Sequence, residues 1–523
     1  MSESAVAVPG GAQSSGPGEA SSLRWWILGV VGLAQLMVVL DATVVNIALP
    51  SAQHALGFSN ADRQWVVTAY SLAFGSLLLL GGRLSDLIGR RWMLIIGLIG
   101  FAAASALGGA STGFAMLVIA RGLQGAAGAM LAPAALSTLT TTFTDPAERG
   151  KAFGVYGAIA GAGGAVGLLL GGVLTEYLSW RWCLYINVIL AVVAVAGAAR
   201  LLERHPRDPD VYIDWPGAAL VVAGLVAVVY GLSEAETKGW GAPTTDTLLP
   251  VGVILLAIFV MVERRVAHPL LPLRIVLSRF RGGAYLAIGL SATGMFGIFL
   301  FLTYYLQEIL HYSPVITGVA FLPMVAALML SSTTSSGYLM PRFGPRPLVP
   351  VGLIVAAGGL VILATQLGLH TSYPGQILPA LIVIGLGLGT VFGCAMNTAT
   401  YGADRADAGV ASALVNTNQQ VGGSIGTALL NTIAASALTS YLVAHATGDL
   451  TSPILLLVQA QAAVHSYVVA FWVSAGIFAG AAVVCGLVLA SGTLALTAPP
   501  AAPAVTVREE EKAGREGVEV REH

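Results

Sequence analysis

Long apolar stretches broken by short polar connections run from Trp25 to Ala490. A helix needs about 20 apolar residues to cross roughly 30 Å of hydrocarbon, and stretches near that length recur along the whole chain. The pattern predicts fourteen membrane-spanning helices near 25–49, 64–82, 92–110, 115–139, 150–174, 182–202, 214–232, 247–264, 282–306, 314–335, 347–367, 375–398, 409–438 and 466–490. The ends break this pattern. Residues 1–22 are rich in Ser, Gly, Ala and Pro, and residues 491–523 pass from Pro-Ala into a charged tail, so both are expected to be disordered cytoplasmic segments. The first apolar run is too long for the core of a cleavable signal, and no basic segment precedes it, so it is read as the first spanning helix.

Composition strengthens the pattern. Hydrophobic residues make up 56% of the chain and charged residues 10%, with a mean hydropathy of +0.81, whereas soluble domains carry about 25% charge. The 64 glycines suit helices that associate in lipid by close backbone approach. Cys183, Cys394 and Cys485 lie far apart in apolar runs, which indicates neither a disulfide framework nor a metal site.

The net charge of -1 conceals a strong asymmetry. With the N-terminus inside, 21 of the 25 Lys and Arg residues fall on one face, only Arg63, Arg181 and Lys238 on the other, and Arg121 within a span. Basic connections mark the cytoplasmic side, so both termini are expected in the cytoplasm. An internal repeat then divides the chain: Gly82, Leu84, Gly89 and Arg91 recur 255 positions later as Gly337, Leu339, Gly344 and Arg346, with Pro341 in place of Asp86. Repeats of this kind relate the halves of many transporters and bracket the substrate site. The expected organisation is six, two and six: a helical bundle at 23–202, two inserted helices and a linker at 203–281, and a second bundle at 282–490.

Four features carry candidate chemistry. Gly82-Arg83-Leu84-Ser85-Asp86-Leu87-Ile88-Gly89-Arg90-Arg91 supplies turn glycines, arginines for an anionic leaflet and an acid for a neighbouring helix N-terminus. Asp41 follows a nearly unbroken apolar run, where a charge is costly and functional by default, the alternative being a structural acid satisfied by another helix. Arg121 lies in Arg121-Gly122-Leu123-Gln124-Gly125 of the fourth span. At 1.5 Å rise per residue both charges fall at comparable depth, and they are expected to interact directly or through water. Gly154, Gly163, Gly167, Gly171 and Gly172 punctuate the fifth span, with Gly163, Gly167 and Gly171 also readable as a packing stripe.

The loop segment resembles the cytoplasmic loop signature of the major facilitator superfamily. The stretch Leu40-Asp41-Ala42-Thr43-Val44-Val45-Asn46 is similar to the first-helix signature of its fourteen-helix drug:proton antiporter branch, and Trp180-Arg181-Trp182 and Tyr305-Leu306-Gln307-Glu308 agree with that branch. The resemblance implies an all-α membrane protein of that superfamily's fold, in which Asp86 belongs to an inner gate with Gly82, Gly89, Arg90 and Arg91. It implies that Asp41 and Arg121 couple protons, and that the glycines of the fifth span form an antiporter signature. Leu168 stands where that signature carries proline. Gln35, Asn46, Gln124, Gln307, Glu308 and Asn416 are candidates for a substrate pathway, although Gln35 and Asn46 also suit interhelical bonding and Glu308 a solvated helix end.

The expected activity is proton-coupled export of a small amphiphilic drug, antibiotic or secondary metabolite across the cell membrane. Alternatives are a proton-coupled importer and a non-transporting membrane sensor. Its expected partners are a small-molecule substrate, protons and the lipid bilayer, with no nucleic acid. There is no G-x-x-x-x-G-K-[ST] nucleotide signature and no His-Glu metal cluster, so a proton gradient without cofactor or metal is expected to drive it, and enzyme chemistry is not expected.

Overall fold

A computed structural model describes residues 17–60, 62–143, 145–202, 214–266, 269–271, 273–400, 408–445 and 452–489. The expected disordered stretches up to residue 16 and from residue 490 lie outside the described residues. Among the described residues there is helix and turn but no strand.

The long helices are α1 (Pro17–Leu56), α2 (Arg63–Ile88), α3 (Arg90–Gly109), α4 (Phe114–Thr142), α5 (Pro146–Tyr177), α6 (Trp182–Leu201) and α7 (Trp215–Lys238). They continue with α8 (Pro243–Glu263), α9 (Arg279–Tyr304), α10 (Pro314–Thr334), α11 (Pro345–Gln366), α12 (Leu378–Thr400), α13 (Ala408–His445) and α14 (Ser452–Val488). Thirteen of them are long and apolar enough to cross a membrane, and α5, at 32 residues, completes the set. The largest departures from the apolar pattern are at two helix starts. α1 starts at Pro17, and α14 starts at Ser452 rather than near 466. The early part of α14 is amphipathic: Val458, Ala462 and Ser466 are buried at four-residue steps while Gln459 and His465 are exposed, a helical period that a count of apolar residues misses.

Helix packing follows one plan twice. α1 packs on α4, α5 and α6, α4 on α2 and α3, and α3 on α6; α9 packs on α12, α13 and α14, α12 on α10 and α11, and α11 on α14. Adding eight to each helix number of the first set gives the second. The contacts joining the sets obey the same exchange, α2 on α13 and α5 on α10. The repeated glycines have a matching job. Gly89 (φ 96°) and Gly344 (φ 73°) each break one helix and start the next, a left-handed backbone that glycine adopts without the Cβ penalty. Gly82, expected to share that turn, instead lies inside α2. α7 docks beside α2 and α13, and α8 packs on α7, with Val251, Val253, Ile254, Ile258 and Met261 exposed.

The two sets of helices close on each other at the end where α1 passes into α2. One apolar core runs there through Val44, Ile47, Val66, Leu117, Phe301, Leu306 and Phe471, from both sets. Towards the other end, Ile27, Val31, Met93, Leu94, Ala194 and Leu202 of the first set form a separate core, against which Ala413 of α13 packs.

Candidate functional site

Asp41 of α1 and Arg121 of α4 meet in the interior of the first helix set. Arg121 Nη1 donates to Asp41 Oδ2 at 2.5 Å, and the two residues are 0% and 1% exposed. A buried ion pair survives only when its remaining donors and lone pairs are satisfied, and here most are. Arg121 Nε donates to the Val66 carbonyl at 2.9 Å, Nη1 also donates to Gln124 Oε1 at 2.9 Å, and the guanidinium lies 4.4 Å above the Tyr70 ring. Asp41 Oδ1 accepts from Gln124 Nε2 at 3.0 Å and from Asn187 Nδ2 of α6 at 2.8 Å. Gln124 Nε2 also donates to Ser105 Oγ of α3 at 2.6 Å. One charged network thus ties α1, α2, α3, α4 and α6.

Local sequence explains the assembly. Arg121 and Gln124 are three residues apart and share a face of α4. Gly125, one step further, lets α4 sit against the Tyr70 carbonyl of α2, where a Cβ would overlap. A small apolar cavity lined by Val45, Ala48, Leu49, Ala52, Val66, Leu117, Trp180, Cys183 and Leu184 borders Arg121. Asn187 Oδ1 is buried without a hydrogen-bond partner, an exception among buried amides.

Other expected site residues lie elsewhere. Gln124, expected on a substrate path, is a buried member of the ion network. Gln35 accepts from the Tyr156 hydroxyl of α5 at 2.6 Å, and Asn46 donates within its own helix to the Ala42 carbonyl at 2.9 Å. Gln307 Nε2 donates to the Ile47 carbonyl at 3.0 Å, and Glu308 pairs with His54 at 2.9 Å, so both bridge the helix sets at the α1–α2 end. Asn416 is exposed on α13. In the loop motif, Arg83 Nη2 donates to the Pro269 carbonyl at 2.9 Å and Arg91 Nη2 to the Ala199 carbonyl at the end of α6 at 2.7 Å. Arg90 is half-buried at the start of α3. The side chain of Asp86 and the surroundings of Gly154 lie outside the described residues.

The fifth-span glycines face two helices. Gly163, Gly167 and Gly171 pack on Val39, Thr43 and Val44 of α1, whereas Gly172 meets Pro314 and Val315 of α10. α5 is a single helix through Leu168, whose carbonyl abuts Gly318 of α10.

Sequence reasoning misses Asn187, Ser105, Tyr70 and Arg63. Asn187 carried a signal, a lone amide in an apolar span. Arg63 sits 5% exposed at the start of α2, where its guanidinium lies 4.3 Å from the Tyr304 ring, 5.5 Å from Phe301 and 5.8 Å from Tyr467, and Nε donates to Asn431 Oδ1 at 3.4 Å. That cage belongs to the opposite helix set and has no local sequence signature.

Comparison with known proteins agrees with this architecture. The puromycin resistance protein pur8 of Streptomyces alboniger is 51% identical over 473 residues, covering 90% of this chain and 92% of that protein. The cephamycin export protein CmcT of Amycolatopsis lactamdurans is 38% identical over 429 residues, covering 82% and 88%. Among solved structures, an inward-facing bacterial homolog of the human lysosomal transporter Spinster superposes with a TM-score of 0.62 at 16% identity, covering 91% of this chain and 98% of that one, which bears on fold alone. The profile of the Major Facilitator Superfamily matches residues 31–427. The chain is a multi-pass cell-membrane protein that belongs to the Major Facilitator Superfamily.

Proposed function

We propose that this chain is a proton-coupled antiporter that exports a small amphiphilic antibiotic or related metabolite, with both termini in the cytoplasm. The observation that carries the reading is the buried Asp41–Arg121 pair. Its resemblance to puromycin and cephamycin resistance and export proteins supports the substrate class.

The chemistry follows from the donors around Asp41. As a carboxylate it accepts from Arg121, Gln124 and Asn187 at once. A proton on Asp41 turns one acceptor into a donor and removes the charge that compensates Arg121. The network must then rearrange, and the partnerless Asn187 Oδ1 supplies an acceptor if that amide rotates. Because the network spans five helices, its rearrangement biases how they pack, which is how a proton is converted into conformational change. The six-helix sets at 23–202 and 282–490 are then the moving bodies, Asp86 and the arginines of its loop serve the inner gate, and the α1–α2 end is the closed outer gate.

The test uses everted vesicles from cells expressing the chain, with puromycin as probe. The wild-type chain is expected to accumulate puromycin only while a proton gradient is present, and Asp41→Asn, inserted at equal level, to lose that accumulation. Gradient-dependent accumulation unchanged in Asp41→Asn would overturn the assignment.

A further inference from the structure

A second pair of buried acids lies outside the network just described, where α7 begins and α8 ends. Asp214 is 7% exposed and Glu263 4%. Each uses one oxygen to hold backbone: Asp214 Oδ1 accepts from Gly217 N at 2.9 Å, capping α7, and Glu263 Oε2 accepts from Leu271 N at 3.0 Å. Each leaves its other oxygen, Oδ2 and Oε1, buried without a hydrogen-bond partner. Those two oxygens converge beside Gly217: a Cβ there would overlap Asp214 Oδ2 and lie 3.0 Å from Glu263 Oε1. Among the described residues, Arg83 is the cation whose charge acts on Glu263, and its own hydrogen bond goes to the Pro269 carbonyl.

Two ionised carboxylates facing each other in a buried site repel, and one proton shared between them removes both the repulsion and the two unmet acceptors. Metal cations of the alkali and alkaline-earth type take about six or more oxygen ligands, whereas one proton is enough to pair the two unpartnered carboxylate oxygens, Asp214 Oδ2 and Glu263 Oε1. We infer that Asp214 and Glu263 form a proton-binding site, a carboxylic acid–carboxylate pair that pins the inserted helices α7 and α8 to the segment at 269–271. Through Arg83 on that segment, the site adjoins the end of α2. It is separate from Asp41 and does not require that residue's role in transport.

Infrared difference spectroscopy of the purified full-length chain tests it, in an Asp41→Asn background so that Asp41 contributes no signal. A pH-dependent absorption of a protonated carboxyl is expected, with roughly one proton released per chain on alkalinisation. Adding Glu263→Gln, which keeps the acceptor for Leu271 and can donate to Asp214, is expected to abolish both. Asp214→Asn serves as the second variant if the first does not fold. A carboxyl band unaffected by either substitution overturns the inference. So does a band in the wild-type pair that disappears on adding sodium, potassium or calcium at constant pH, which would mark a metal-cation site.

Discussion

Where α1, α3, α4 and α6 meet, the interior holds Asp41, Arg121, Gln124, Asn187 and Ser105 in mutual hydrogen bonds. Where their counterparts α9, α11, α12 and α14 meet, it holds Phe301, Leu353, Leu360, Ile384, Leu388, Phe471 and Phe478. Among the described residues the second set buries no charged side chain. Several of its buried hydroxyls turn back onto their own helices, Thr398 donating to the Cys394 carbonyl at 2.7 Å, Thr427 to Gly423 at 2.8 Å and Ser474 to Ala470 at 2.8 Å, while Thr293 also donates to Gly422 of α13 and Thr432 to Leu232 of α7. Self-satisfied hydroxyls do not report on neighbouring helices. An acid bonded to three side chains on two other helices does. One packing plan therefore holds a charged, cross-linked interior on one side and an uncharged one on the other.

The largest effect that would break this contrast is at Arg121. Arg121→Met leaves Asp41 buried without its cation, and removing one member of a buried pair costs about 3–5 kcal/mol. Thermal unfolding of the detergent-solubilised chain should show that loss, and combining Arg121→Met with Asp41→Asn should recover much of it, since no uncompensated charge then remains. A double variant no more stable than the single one would show that the pair acts independently of its charge. On the other side, Leu388→Ala opens a void in an apolar interior and costs about 2–5 kcal/mol. Its expected signature differs in kind: lower stability with gradient-dependent puromycin accumulation retained per folded molecule. Loss of gradient dependence in Leu388→Ala would erase the functional asymmetry.

The sequence made Asp41 and Arg121 legible because each is a lone charge in an apolar run, and helical rise gave their matching depth. Their partners were harder to read. Whether Asn187 faces Asp41 or lipid depends on the rotation of α6 about its axis, which an apolar span leaves open when nearly every face is hydrophobic. Gln124 was visible but misassigned for the same reason. The loop repeat identified the turn glycine of each half, yet Gly82 in the same frame is helical, because helix ends are set by tertiary packing as much as by local residues. Arg63 was legible only as one of the few basic residues on the sparsely charged face. Its aromatic cage is assembled from Phe301, Tyr304 and Tyr467, more than two hundred positions away.

That cage makes Arg63 the smallest and most specific test of how the two halves meet. The guanidinium is held by three rings and one long hydrogen bond to Asn431, all from the second helix set. A desolvated cation over aromatic rings is worth about 2 kcal/mol, and all of it is lost when the α1–α2 end opens. Arg63→Gln should therefore shift the open-to-closed ratio at that end by roughly thirtyfold, the equivalent of about 2 kcal/mol, with little change in unfolding temperature. Spin labels at the exposed positions Ala55 and His311 report the distance across the closure, and the variant should gain a longer-distance population. His54 and Glu308 span the same seam with exposed side chains, where an ion pair contributes about 0–1 kcal/mol, so the buried cage and not the visible salt bridge should dominate closure. If His54→Ala lengthens the distance more than Arg63→Gln does, that ranking is reversed.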